Sequence, residues 1–175
     1  MTTWVLCAGL PGTGKTTLAR ALAESCNAAV LDKDRVRAAL FPGPVTDYSE
    51  SQDQLCLRAM MTAAVYLTER NRVDYIFFDG RTFSIRAHID EVLLAATQAG
   101  AGWRILYVTC SDAVAEQRLA RNDPAHPAQN RDAALYRKLK QLADPILQAH
   151  LQVDTTGGIE RGQVAAVQAY LAASG

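Results

Sequence analysis

Apolar and polar positions fall into blocks along the chain, and the blocks switch repeatedly between two periods. "TWVLCA" (3–8) is a near-continuous apolar run, as in a strand buried on both faces, whereas "KTTLARALAESC" (15–26) repeats at helical spacing. "AAVLD" (28–32) predicts a second strand and "RVRAALF" (35–41) a short helix ended by Pro42. After the loop "PGPVTDY", Ser49 and Gln52 form a capping-box pattern for a helix running to about residue 69, with Cys56, Met60, Ala63 and Leu67 as its apolar face. "VDYIFFD" (73–79) predicts a third strand. A helix from about Ser84 to Ala96 follows, its buried side at Ile85, Ile89, Val92, Leu93 and Ala96. Next come a fourth strand, "WRILYVTC" (103–110), a helix over 112–121 and an exposed two-proline loop, "NDPAHPAQN" (122–130). A helix over 131–143 aligns Leu135, Leu139 and Leu142. A strand over 150–154 and a helix over about 159–173 finish the pattern. Strands separated by helices imply βαβ crossovers, hence a five-stranded parallel sheet in a three-layer α/β/α sandwich. No repeat, low-complexity tract or linker divides residues 1–175, which read as one domain.

The first strand and helix are joined by Gly9-Leu10-Pro11-Gly12-Thr13-Gly14-Lys15-Thr16, which fits G-x-x-x-x-G-K-[ST] at every fixed position. Glycines let backbone N–H groups turn inward around phosphates, and the helix N-terminus adds its positive pole. Lys15 is placed to reach β- and γ-phosphates and the Thr16 hydroxyl to ligate Mg²⁺, with Thr17 beside them. The expected ligands are ATP and Mg²⁺, in a P-loop NTPase fold.

Composition narrows the remaining choices. Of 175 residues, 49% are hydrophobic and 21% charged, and the formal net charge is zero, so an acidic partner must be met by a local patch. Cys7, Cys26, Cys56 and Cys110 form no CxxC pair and have no metal-like spacing with the three histidines; Cys7 and Cys110 read as buried small hydrophobes. No signal peptide and no membrane-length apolar run is visible, so the expected location is the cytoplasm. The guanine-reading NKxD motif of GTPases is absent, as is the second domain expected of a motor.

Two further features bear chemistry. Asp34-Arg35-Val36-Arg37 is a D-x-x-R unit after the second strand, on the sheet edge where ligands collect. Such a carboxylate can accept a proton from an acceptor hydroxyl, with the arginine one turn on as a clamp; equally, the pair can be a helix cap and an i, i+3 surface contact. "YIFFD" has the apolar-run-then-acid form of a Walker B strand, so Asp79 either holds a Mg²⁺-bound water, orients the acceptor, or caps the next turn.

"GLPGTGKTTLARALAE", "LDKDRVRAAL", "YIFFDGRTF" and "AEQRLARND" together resemble the small AAA-type P-loop kinases related to chloramphenicol phosphotransferase, the zeta toxins and the kinase domain of polynucleotide kinase-phosphatase. The resemblance spans most of the chain and implies a nucleoside-kinase-like fold. It also implies an aspartate base at Asp34 partnered by Arg37, with Asp32 as the competing carboxylate. Where those kinases favour a small residue and threonine after the Walker B aspartate, this chain has Arg81, which either meets an anionic group on the acceptor or makes a surface salt bridge. "EQRLARNDPAHPAQNR" is similar to a kinase lid, about 118–132, and implies a phosphate-clamping arginine: Arg121 first, then Arg118, then Arg131. "DTTGG" stands where related folds pass the adenine, implying backbone contacts from Thr155, Thr156 and Gly157.

The expected activity is transfer of the γ-phosphate of ATP to a hydroxyl of a small-molecule acceptor by a monomer or homodimer. The polar loop 42–54 forms part of its pocket, with Tyr48 as a wall. The alternatives are a 5′-hydroxyl polynucleotide kinase, for which a basic track is wanting, and a nucleotide-dependent switch without an acceptor.

Overall fold

In a computed structural model the described residues are 1–121 and 132–173. Five strands, β1 (Thr3–Ala8), β2 (Ala28–Asp32), β3 (Tyr75–Asp79), β4 (Gly102–Thr109) and β5 (Leu151–Asp154), form one sheet in the order β2-β3-β1-β4-β5, every pairing parallel. Seven α-helices connect and cover them among the described residues: α1 (Lys15–Ala23), α2 (Lys33–Leu40), α3 (Glu50–Glu69), α4 (Arg86–Gln98), α5 (Asp112–Ala120), α6 (Ala133–Leu142) and α7 (Arg161–Ala172). A turn of 3-10 helix, Gly43–Val45, precedes α3. This is the α/β P-loop fold the strand–helix alternation predicts.

Period-2 geometry explains why β1 is apolar throughout. Trp4 and Leu6 point to a core shared with Phe78, Ile105 and residues of α3 and α4, while Val5 and Cys7 point to a core shared with Phe77, Leu106, α1 and α7. Both faces are dry from Trp4 to Ala8, so none of those positions can be polar without cost. Parallel register aligns the strand ends: Asp32 of β2 lies directly opposite Asp79 of β3. The carboxyl edge of the sheet therefore gathers the P-loop, the start of α2 and the segment after β3.

Several expected faces shift. On α3 the buried residues are Gln52, Cys56, Leu57, Met60 and Ala64; Ala63 and Leu67 are half-buried, because the sheet-facing stripe drifts by one position over this 20-residue helix. Only half of the Ser49–Gln52 capping box forms: Ser49 Oγ accepts from Gln52 N–H at 3.2 Å, but the Gln52 amide is diverted to Val45 O (2.7 Å) and Asp47 N–H (3.1 Å). Ile85 caps α4 and is exposed rather than buried. On α6 the buried residue is Tyr136, whose hydroxyl donates to Asp112 on α5 at 2.7 Å, whereas Leu142 is exposed. Cys7 is buried, and Cys110 is only half-buried beside the P-loop.

Candidate active site

The P-loop is held by its own backbone. Gly9 has φ 141° and its N–H donates to Thr82 O at 2.9 Å; a Cβ there would stand 2.2 Å from Val108 O. Gly12, at φ 79°, would push a Cβ to 2.9 Å from Ala115 O. Both positions require glycine, one for its close approach to β4 and one for its approach to α5. Thr13 Oγ1 and Lys15 Nζ each donate to Leu10 O at 2.8 Å, so the loop closes on its first carbonyl, and Gly14 caps α1. Leu10 packs on Ala115, Leu119 and Tyr136, and Pro11 is buried. Lys15 is only 8% exposed, Thr16 half-buried and Thr17 exposed.

Lys15, Thr16 and Pro11 form part of the lining of a cavity of about 370 Å³, which Asp34, Arg37 and Tyr48 also line. Asp32, the competing carboxylate, is outside the cavity lining and is the N-cap of α2, accepting from Asp34 N–H at 3.0 Å and Arg35 N–H at 3.4 Å. The D-x-x-R pair is an ion pair, Arg37 Nη1 to Asp34 Oδ1 at 3.0 Å, but Arg37 is buried rather than on a surface. Its other side pairs with Asp53 of α3, and its guanidinium lies 5.2 Å from the centre of the Tyr48 ring. Tyr48 holds a left-handed φ of 53° to present that ring.

Asp79 is fully buried and neither carboxylate oxygen makes a regular hydrogen bond. Burial pushes its carboxyl upward, and Asp32 across the sheet adds to this; the nearby Thr16 hydroxyl, Lys15 and Gly80 N–H pull the other way. A buried carboxylate with open oxygens beside a threonine hydroxyl is a hard-oxygen donor set of the kind Mg²⁺ takes directly or through water. The residues present therefore fit the metal, as the loop fits a polyphosphate.

Four further polar residues line the cavity without having been singled out individually in the sequence: Lys33, Glu50, His88 and Lys138. Lys33 is 7% exposed, bridges to Asp53 at 2.9 Å and lies 3.9 Å from Asp34. Desolvation pushes its ammonium down to about 8, against the pull of Asp34. Glu50 and His88 both contact Arg81, and Lys138 of α6 lines the wall. Packing of α2 against α3 gives Lys33 and Asp53 their setting. Residues 42–54 do enter the lining, through Tyr48, Glu50 and Asp53.

Arg81 is buried, not a surface residue, and lines the cavity. Arg118 lies against the P-loop: it donates to Gly12 O at 3.2 Å and to Thr155 Oγ1 and O at 3.0 and 2.6 Å. Thr155 is buried and donates to Thr13 O at 2.7 Å. Both side chains buttress the loop, so neither is open over a ligand as placed. Arg121, Thr156 and Gly157 are exposed and outside the cavity lining. Arg131 and most of the expected lid, 122–131, lie outside the described residues.

Solved structures share this fold at low identity. A provisionally assigned kinase from Chloroflexus aurantiacus matches with a TM-score of 0.76 at 21% identity, covering 96% of this chain and 97% of that one. A gluconokinase from Sinorhizobium meliloti 1021 matches at 0.67 and 15% identity, over 98% and 93% of the two chains. Chaetomium thermophilum Kti12 in complex with ADP-AlF3 matches at 0.68 and 15% identity, over 99% and 100%. No curated protein matches in a sequence comparison. Residues 4–152 match the family model described as AAA domain, and the chain belongs to that family.

Proposed function

We propose that this chain is an ATP-dependent phosphotransferase that moves the γ-phosphoryl group to a hydroxyl of a small-molecule acceptor. The observation that carries the reading is that Lys15 and Thr16 of the P-loop share one cavity with Asp34, a carboxylate oriented by Arg37. Lys15 exchanges the Leu10 carbonyl for β- and γ-phosphate oxygens and stabilises the charge in flight. Asp34 takes the proton of the acceptor hydroxyl as that oxygen attacks phosphorus. Arg37 and Lys33 position it, and Asp79 with Thr16 hold Mg²⁺. When bound, the metal neutralises charge on the phosphate oxygens. Arg121 remains the candidate clamp over the phosphates, with Thr156 and Gly157 beside the adenine. The kinase matches support the reaction class, and a cavity of about 370 Å³ suits a small molecule better than a strand.

The test is label transfer from γ-labelled ATP with Mg²⁺ to a pooled panel of hydroxylated antibiotics, sugars, nucleosides and a 5′-hydroxyl oligonucleotide, with Lys15→Ala as the blank. Lys15-dependent label on a small acceptor is the expected result. Label on the oligonucleotide alone would replace the acceptor class, and ATP binding with transfer to nothing would point to a switch.

A further inference from the structure

Resting on the kinase reading above, we infer that the acceptor carries an oxyanion, a carboxylate or a phosphate group, seated on Arg81. The cavity is lined by five basic side chains, Lys15, Lys33, Arg37, Arg81 and Lys138, against three acidic ones, Asp34, Glu50 and Asp53, among the described residues. Lys33 and Arg37 close on Asp34 and Asp53, so that cluster is balanced within itself. Arg81 is not balanced in this way. It is 4% exposed, and its nearest carboxylate, Glu50 at 2.7 Å from Nη2, is 66% exposed and screened by solvent. Its other contact is an imidazole nitrogen of His88 at 2.9 Å from Nη2. Burial and the neighbouring Arg81 charge push that imidazole below its ordinary value, so near neutral pH it accepts a hydrogen bond and offers no counter-charge.

Arg81 Nη1 is buried and has no hydrogen-bond partner among the described residues. A buried guanidinium with one open nitrogen is costly unless an anion completes it, and its planar fork suits carboxylate or phosphate oxygens. The surroundings fit the rest of such a molecule. Lys138 stands exposed on the same wall as a second cation, and Thr82 and Ser84 supply hydroxyls 2.8 Å apart. Ile85, Leu135 and Leu139 give a carbon skeleton an apolar side. The acceptor is thus a hydroxylated acid or a sugar phosphate rather than a neutral polyol.

The test fills the P-loop of the full chain with a non-hydrolysable ATP analogue and Mg²⁺, then titrates by calorimetry with matched probes. These are gluconate against sorbitol, glucose 6-phosphate against glucose, and inorganic phosphate. At least one anionic probe should bind at least tenfold tighter than its neutral counterpart, and Arg81→Gln should erase that preference. Arg81→Lys should keep part of it. Lys138→Gln, on an exposed residue, gives a second reading should Arg81→Gln fail to fold, with a several-fold loss expected. The inference is overturned if no anion binds, if neutral probes bind equally well, or if these variants weaken only the ATP analogue. Failure of the kinase reading looks different: anions bind in an Arg81-dependent way, yet Lys15-dependent phosphotransfer reaches no acceptor.

Discussion

Where the cavity is made by the P-loop, every contact that shapes it ends on main chain: Leu10 O collects the Thr13 and Lys15 side chains, Arg118 and Thr155 reach Gly12 O and Thr13 O, Gly9 N–H reaches Thr82 O, and at Gly9 and Gly12 a Cβ would strike a neighbouring strand or helix. Where it is made by α2, α3 and the segment after β3, its structure comes from side chains. Lys33, Asp34, Arg37 and Asp53 form one ion cluster, and Glu50, Arg81 and His88 another. Backbone geometry tolerates almost any side chain outside its fixed positions, so the first part can serve one phosphate chemistry unchanged. A cluster of charges drawn from three elements can be altered one residue at a time, which suits the part that selects an acceptor. The contrast also separates two kinds of failure: losing the donor, or losing the partner of the donor.

The sharpest way to break the contrast is Lys15→Ala. Phosphotransfer should fall by about 10³-fold or more, the scale of a lost electrostatic donor at a transferring group; label transfer at the wild-type rate would end the donor assignment. Asp34→Asn should slow transfer by roughly 10²-fold while ATP-analogue affinity holds, within the usual range for a general base. An unchanged rate would move the role to Asp32 or Asp79.

A smaller effect concerns pH. Lys33, pushed down to about 8, loses its proton as pH rises through that value, and with it the tie to Asp53. kcat/KM should therefore decline above about pH 8, and Lys33→Met should lack that limb. Stability moves the opposite way. Between about 8 and the ordinary lysine value of 10.5 the unfolded chain binds more protons at this residue, so its contribution to folding stability rises with pH. Parallel rate and urea-melt profiles separate a site effect from unfolding, and a rate that falls together with stability would refute the assignment.

The mildest change is Ser49→Ala, which removes the α3 cap. It should cost about 1 kcal/mol in a denaturant melt and raise the acceptor KM a few-fold through Glu50 and Asp53, leaving nucleotide affinity unchanged. A shift in nucleotide affinity instead would mean that the two parts of the cavity are not separable.

The main-chain part of the site was legible in the sequence, and the side-chain part only partly so. G-x-x-x-x-G-K-T was legible because its fixed positions are contiguous in the chain, although the contacts that demand glycine at Gly9 and Gly12 come from Val108 and Ala115 far along it. The strands were legible because two dry faces leave only apolar residues from Trp4 to Ala8 in β1. Asp34 and Arg37 were visible as a spaced pair, but not the depth at which α3 buries Arg37 nor its second carboxylate, Asp53. Arg118 is a case in which packing adds a contact that spacing does not show. Its spacing from Arg121 suggested a clamp above phosphates, and only tertiary packing places its guanidinium on Gly12 O and Thr155. The α6 stripe failed, because its burial is decided by Tyr136 reaching Asp112 on α5 rather than by an apolar row.

The Gly9–Thr82 bond has a consequence for anyone wishing to retarget this cavity. It stitches the P-loop to the very segment that carries Arg81, so a graft that replaces residues 80–84 would disturb nucleotide binding along with selectivity. Residues 42–54 offer a cleaner cassette. They bring in Tyr48, Glu50 and Asp53, and their own turn is laced internally by Gln52 to Val45 and Asp47. Exchanging that stretch between relatives, with Asp53 kept for its ties to Lys33 and Arg37, should transplant a preference for one molecule over another and leave nucleotide binding where it was.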